Sequence, residues 1–338
     1  MAVLSTNYPT LGDLVSRLDS DGKIAPIAEV LNQCLPILKD LGFIECNKTD
    51  GYLHTIRTGL PEPTWRKLYQ GVQPKKSTTA QVTDTCGNLE NYAEVDKDLV
   101  DLNGNEAAFR LSEDRAFIEA MGQKVAETIF YGDTTKNPER FMGIAPRYNR
   151  LPTGSKPPAS SRNVVNFGGT AASGDLTSIY LISHQVFHGI YPKGSQAGLS
   201  KSDKGQVTVI KDDGSMYEAY RTHYKWQVGT TIDDWRGCAR ICNIPLATLL
   251  LSTDDAKNSR EQLIRSLIQA KNVIEPKYLA RTKIYVPRDV MSVLEIAAVE
   301  ISHNALSITQ AGEQFRANFF GIPIEICDAI STDEDEVK

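Results

Sequence analysis

Asn103–Tyr148, NGNEAAFRLSEDRAFIEAMGQKVAETIFYGDTTKNPERFMGIAPRY, is the stretch that decides how the rest of the chain is read. Leu111, Ile118, Met121, Val125 and Ile129 fall at steps of seven, three, four and four, and Phe117 and Ala120 widen the stripe. That is one face of a 3.6-residue repeat, so the segment predicts a single long helix. Asn105 is the expected N-cap, with Glu106, Glu113 and Asp114 near the positive end of the helix dipole. Gly132 is the expected stop, a left-handed residue closing the last turn without a Cβ clash, and Pro138 prevents a restart. At about 25 residues the helix would run about 38 Å, the width of a domain. A helix of that length is a backbone for other elements. The turn that follows, NPERFMGIAPRY, carries no catalytic signature.

The 338 residues allow a large core, in two domains or one elaborated one. A net charge of −5 and a pI near 5.7 argue against a surface built to neutralise nucleic-acid phosphate. Mean hydropathy is −0.30, and no apolar run approaches the length of a membrane span. The start, MAVLSTNYPTLGDL, lacks a basic region followed by an apolar one, so no secretion signal is expected. Six cysteines (Cys34, Cys46, Cys86, Cys238, Cys242, Cys327) are scattered without a CxxC and read as thiols of a reducing compartment.

Thr10–Leu18 and Ile24–Leu41 show short apolar periodicities, the second expected to kink or end at Pro36. Together they read as an amphipathic arm that needs something to lie against. YLHTIRT and AQVTDT, from Tyr52 and Ala80, are Thr-rich alternating runs that predict two strands of a long projecting loop. Its charge is uneven. Six basic residues (Lys48, Arg57, Arg66, Lys67, Lys75, Lys76) face Asp50 and Glu62, whereas Asp84 to Glu127 holds eleven acids against four bases. A basic hairpin beside an acidic helix suits head-to-tail self-association, although both faces could equally be solvated. Leu151–Ser161, LPTGSKPPASS, is the best boundary. Beyond it the chain is mainly strand and loop, with a hairpin turn at Asp213-Gly214. Helices are expected over Ser259–Lys271, capped by Ser259, and over Asp289–Ile301. TKIYVP reads as a strand, as does the closing NFFGIPIEICDAI, and the acidic STDEDEVK reads as a mobile tail.

Chemistry-bearing patterns fail one by one. His184 and His188 are four apart, but Gln185 stands where a zinc protease needs Glu, and the flanks favour strand and turn. In a strand the two rings would be about 13 Å apart, too far to share a metal. GIYPKGS from Gly189 has its lysine before the second glycine, so it is no Walker loop, and Gly194–Gly198 is no nucleophile elbow. Cys238 and Cys242 lack a histidine partner and read as core thiols. Asp233-Asp234 and Asp254-Asp255 read as caps or turns, and Trp65, Trp226 and Trp235 as core or interface aromatics. The sequence therefore nominates no catalytic, cofactor-binding or metal-ligating residue, and no cofactor.

The order of elements (arm, projecting hairpin, long helix, compact loop, mixed domain, returning strand) resembles the major capsid proteins of tailed bacteriophages, with the Hong Kong ninety-seven-type fold. NPERFMGIAPRYN is similar to the family's segment after its spine helix. SIYLISHQVFHGIYPKGSQAGL and DDWRGCARICNI resemble the outer-domain core of a podophage branch, and FFGIPIEICDAI its closing strand. The resemblance covers essentially Met1 to Ile330. It implies an α+β capsid fold with an N-terminal arm (1–46), an extended β-hairpin loop (47–98), a peripheral domain with the spine helix (99–150) and an axial domain (151–302). A return strand of the peripheral domain (303–330) and an acidic tail (331–338) complete it.

In function the resemblance implies a non-enzymatic subunit of hexamers and pentamers, forming an icosahedral virion shell around double-stranded DNA and assembled in the host cytoplasm. Its partners would be copies of itself, a scaffolding protein, a portal and a decoration protein, with no sequence-specific DNA binding and no membrane. The extended loop would lie over a neighbouring subunit. No long acidic prefix precedes the arm, which implies a separate scaffold or a trimmed form. Lys75 or Lys76 could supply the lysine of a covalent cross-link, with no other member of such a link nominated. Two alternatives stand beside this reading: an encapsulin-like shell around cargo enzymes, and a metal-dependent hydrolase using His184 and His188.

Overall fold

The computed structural model describes residues 33, 35–49, 51–101, 106–153, 157–170, 175–211, 213–251, 253–300, 306–311 and 314–338. The expected helix over Thr10–Leu18, most of that over Ile24–Leu41, the Asn105 cap and Cys34 lie outside them. The described chain begins with α1 (Pro36–Asp40) and β1 (Phe43–Glu45). Pro36 opens α1, since the first turn needs no N–H from it.

The next strands, β2 (Tyr52–Gly59) and β3 (Thr78–Asp84), pair antiparallel from Tyr52↔Asp84 to Gly59↔Thr78 and form a separate two-stranded sheet. β4 (Gly87–Asp96) and α2 (Lys97–Asp101) lead into α3 (Glu106–Tyr131), the long helix, of 26 residues. Its apolar stripe is only half buried. Met121, Val125 and Ile129 are in the core, but Leu111 is 52% and Ile118 44% exposed, against expectation. The reason is that the core ends before the helix does. The C-terminal half is enclosed, with Ala126 and Phe130 also buried, whereas the N-terminal half rests on a sheet through Phe109, Asp114 and Phe117.

The helix stop also differs in kind. Gly132 is not in the left-handed region. A Cβ there would lie 2.3 Å from the Phe141 carbonyl oxygen and 2.6 Å from that of Thr128. Gly132 N donates to Thr128 O at 2.8 Å, and Gly143 N donates to Gly132 O at 2.7 Å. Glycine is thus required for close approach, letting the following turn fold back over the helix end into α4 (Ile144–Arg147).

The strands β5 (Val164–Asn166), β6 (Leu176–Ser183), β7 (Phe187–Tyr191), β8 (Leu199–Ile210), β9 (Met216–Ile232) and β10 (Cys238–Pro245) follow. After them come α5 (Leu246–Leu249), α6 (Asp254–Val273), β11 (Thr282–Val286) and α7 (Arg288–Glu300). β12 (Leu306–Ala311), β13 (Gln314–Phe319) and β14 (Ile322–Ile326) close the order. α6 starts earlier than expected. Thr253, not Ser259, caps it by accepting from Ala256 N, and Ser259 Oγ donates back to Asp255 O at 2.9 Å. The Asp213-Gly214 turn is present, with Gly214 at φ +80.

Two sheets organise the body. One has seven strands in the order β12-β13-β14-β11-β6-β10-β5, and every residue of β6 and β10 is buried. The other runs β1-β7-β9-β4, with β8 also paired to β9. The pairings do not follow the chain in blocks. The β8–β9 hairpin returns beneath α3, where Tyr224 meets Ala93 and Met121, while β14 joins β11 in the larger sheet. One main core extends from Ile37 to Val337.

Val337 belongs to it because the acidic tail is fixed, not mobile. Asn243 Nδ2 donates to Val337 O, and Val337 N donates to Asn243 Oδ1, both at 2.9 Å. Glu334 N donates to Leu176 O at 2.8 Å. A buried arginine draws this tail in. Arg240 and Glu334 pair at 2.7 Å with both side chains under 7% exposed, and Glu334 also accepts from Tyr131 and Ser178 hydroxyls.

Candidate assembly surfaces

Beyond the paired part of the β2–β3 ribbon, residues 60–77 form a tip that touches little of the described chain. Pro61, Pro63 and Pro74 deny it strand hydrogen bonds. Trp65 is 100% exposed, and Leu60, Leu68, Tyr69 and Val72 are exposed with it. Tyr69 is held at φ +65, a conformation disfavoured for a bulky residue. Arg66, Lys67, Lys75 and Lys76 surround these groups, and Lys75 pairs with Glu62 at 2.8 Å. Burying a large apolar side chain is worth about 1.5–3 kcal/mol, so this cluster is unfavourable in water. An isolated two-stranded ribbon is itself marginal, and among the described residues neither of its edges is paired.

The root of the ribbon, by contrast, is clamped. Asp84, nearly buried, accepts from Arg147 at 2.7 Å, and Arg147 also donates to the carbonyls of Gly143, Met142 and Thr230. Asn47 bridges both backbone groups of Leu53. A Cβ on Gly51 would lie 2.2 Å from Asp84 O, so β2 and the end of β3 are in backbone contact there.

Of the eleven acids in the expected charge complementarity, at least five are ion-paired inside the subunit, Asp84 with Arg147 among them. Glu94 Oε2 accepts from both Nε and Nη2 of Arg221, and its Oε1 accepts from the Tyr217 hydroxyl. Glu90 meets His223 and Lys225, Asp114 meets Lys201 and Tyr224, and Glu127 meets Lys124 and Arg140. The exposed acids Asp96, Asp98 and Asp101 gather around α2. Charge therefore contributes less to a docking surface than the sequence counts suggest, and the apolar tip contributes more.

His184 Nε2 contacts the Tyr285 hydroxyl at 2.7 Å, which donates to Asp40 Oδ2 at 2.7 Å. Burial lowers the His184 pKa to about 4, so it is neutral. His188 Nε2 lies 3.1 Å from Gln185 O and 3.8 Å from Asp233 Oδ2. Among the described residues no three His, Cys, Asp or Glu side chains converge as a metal site, and no helix is long and apolar enough to cross a membrane. Burial pushes the Cys238 thiol up to about 12 and that of Cys242 up to about 11, keeping both protonated. Burial would raise the Asp234 carboxyl, but hydrogen bonds from Arg236 and Tyr278 outweigh it and hold it at about 2. Asp234 caps a short turn through Arg236 N, as read from sequence.

Residues 19–338 match the family described as major capsid protein GP7. Bacteriophage Epsilon15 provides a similar solved structure, with 30% identity over 100% of this chain and 99% of that one and a TM-score of 0.79. The chain belongs to this capsid protein family. It is a structural subunit of a bacteriophage capsid and a component of the virion, and its partners there are further capsid subunits. The α+β capsid fold expected from sequence is the one found. More distant likenesses include the bacteriophage JBD30 capsid (10% identity, 97% of this chain and 99% of that one, TM-score 0.49). An encapsulin from Synechococcus elongatus follows (11% identity, 66% and 91%, TM-score 0.40). Both are too remote to bear on function. No curated protein matches the chain.

Sequence reasoning named Trp65 alone, as a core or interface aromatic, and missed the rest of the tip cluster and the Arg240–Glu334 anchor. A tract holding three prolines together with Trp, Leu and Tyr could have flagged the first. No local signal marked the second.

Proposed function

We propose that the subunit forms hexamers and pentamers of an icosahedral shell around double-stranded DNA, each ribbon lying over the next subunit. The observation that carries this reading is the exposed apolar tip on a ribbon whose two strands pair only with each other among the described residues. Each contact can be modest, because closure of the shell multiplies it. An acidic subunit of net charge −5 suits an inner wall over which DNA must slide.

The division proposed is arm 1–46, extended loop 47–98, peripheral part 99–150, axial part 151–302, return strand 303–330 and tail 331–338. Strand pairing supports moving β4 together with β8–β9 to the peripheral part, since β4 and β9 pair under α3, and moving β14 to the axial part. Assembly in the host cytoplasm with a scaffolding protein, a portal and a decoration protein belongs to the same proposal. Electron microscopy of the purified protein, alone and coexpressed with candidate scaffolds, tests it. Closed particles or capsomer rings are expected. A persistent monomer under every assembly condition would overturn it.

A further inference from the structure

Two cysteines flank the ribbon. Cys46 follows β1 and Cys86 follows β3, 40 residues apart in sequence, and their sulfurs are 3.6 Å from each other. Both backbones are held by the same sheet. Cys46 N donates to Tyr191 O at 2.9 Å, at the end of β7. Cys86 Cα lies 3.1 Å from where a Cβ would stand on Gly229 of β9, so only glycine admits it there. The chain enters the ribbon at one sulfur and leaves it at the other.

We propose that Cys46 and Cys86 are a dithiol that oxidises to an intrachain disulfide and locks the root of the ribbon. A disulfide needs its sulfurs at about 2.05 Å, and the pair already stands at 3.6 Å. The two thiols differ in access: Cys86 is partly exposed and Cys46 is buried. The oxidant is a low-molecular-weight disulfide. The Cys86 thiolate attacks one of its sulfurs, forming a mixed disulfide and releasing one thiolate. The Cys46 thiolate then attacks the Cys86 sulfur, closing the intrachain bond and releasing the second. Two thiol protons leave, and the reagent disulfide is reduced to two thiols. Burial, with the Cys46 contact, pushes the Cys86 thiol up to about 12, so exchange is slow at neutral pH and faster in alkali. A reducing host interior keeps the pair as thiols during assembly, and a released particle meets oxidising surroundings. The lock thus follows shell closure, and that timing rests on the shell reading above.

The test is incubation of the purified full chain with oxidised glutathione at mildly alkaline pH, followed by acid quench, alkylation, proteolysis and mass spectrometry. The expected product is one peptide pair joining Cys46 to Cys86 within a chain, lighter by two hydrogens. Cys46→Ser should instead trap glutathione on Cys86. Should both cysteines remain fully alkylated while urea-unfolded protein oxidises, or should the bond join different chains, the proposal is wrong. This readout needs no shells, so it fails separately from the assembly reading. With shells in hand, oxidation should raise the urea midpoint of dissociation, dithiothreitol should reverse the shift, and Cys86→Ser should abolish it. A disulfide that forms without moving the midpoint overturns the lock.

Discussion

The ribbon tip and the C-terminal tail invert what their sequences suggest. Residues 60–77 carry Trp65, Leu68 and Tyr69 and stand in solvent, while the acidic residues 331–338 are drawn into the body and end beside the core. Each segment is out of place by composition until its partner is counted. For the tail the partner is Arg240, within the same chain. For the tip no comparable partner exists among the described residues, and the capsid setting supplies other copies. Polarity shows that a segment needs something, and the fold shows whether the need is met inside the subunit or outside it.

The comparison breaks most sharply at the tip. Replacing Trp65, Leu68 and Tyr69 together by serine removes roughly 5 kcal/mol or more of burial per contact, enough to abolish assembly when summed over a shell. The same variant should leave the subunit's melting temperature unchanged, because those side chains are already exposed. Light scattering for assembly and calorimetry for folding read the two effects separately. Loss of folding stability would show that the tip is needed inside the subunit, against the comparison.

At the tail the expectation is opposite. Glu334→Ala leaves Arg240 buried without its counter-charge, although Ser178 and the carbonyls of Ala145 and Tyr148 still accept from it. Breaking a buried pair by removing one member costs about 3–5 kcal/mol. Urea unfolding of the subunit should lose that much, with assembly failing only as a consequence. A loss below about 1 kcal/mol would mean that the tail is a surface tether.

These two regions also mark where sequence reading succeeds and stops. The long helix was legible because Met121, Val125 and Ile129 repeat with its period, and the ribbon because Thr-rich alternation marks a strand pair. Which part of the helix stripe is buried depends on where the core ends, so Leu111 and Ile118 were misplaced. β4 went unread because GNLENYAEVD offers only Leu89, Ala93 and Val95 to the helix side and polar residues to the other. Glu334 is 94 residues from Arg240, and an acidic run without its distant partner reads as solvated. The candidate surface was half legible: loop and charge were visible, but internal pairing of Glu90, Glu94 and Asp114 was not.

His184 gives a smaller test that concerns the body alone. Its folded pKa, about 4, lies below the value of about 6.5 expected when unfolded, so the unfolded chain takes up the proton first. Its contribution is therefore complete above pH 6.5 and lost as pH falls toward 4. Between pH 7 and pH 5 the subunit should lose about 1–2 kcal/mol through this group, and His184→Gln should flatten that slope. The groups around the ring are Asp40, Lys283, His188 and Tyr285. Unfolding curves at the two pH values for both proteins decide it, and equal slopes would assign the acid loss elsewhere.

Charge reversal at Lys75 and Lys76 should have the smallest effect. Lys75 already pairs with Glu62 in an exposed position, and pairs of that kind contribute about 0–1 kcal/mol. Three of the acids that made this region look complementary, Glu94, Asp114 and Glu127, are bound to Arg221, Lys201, Lys124 and Arg140 of their own subunit. Lys75→Glu with Lys76→Glu should slow assembly modestly at low ionic strength, through weaker steering toward exposed acids such as Asp96 and Asp98. The difference from the unmodified chain should vanish by about 0.5 M salt, where the screening length is a few ångströms. If the double variant instead stops assembly at every salt concentration, as the serine variant of the tip should, then charge and not apolar burial seats the ribbon. The tip and the tail would then both be held by ion pairs, one within the subunit and one between subunits.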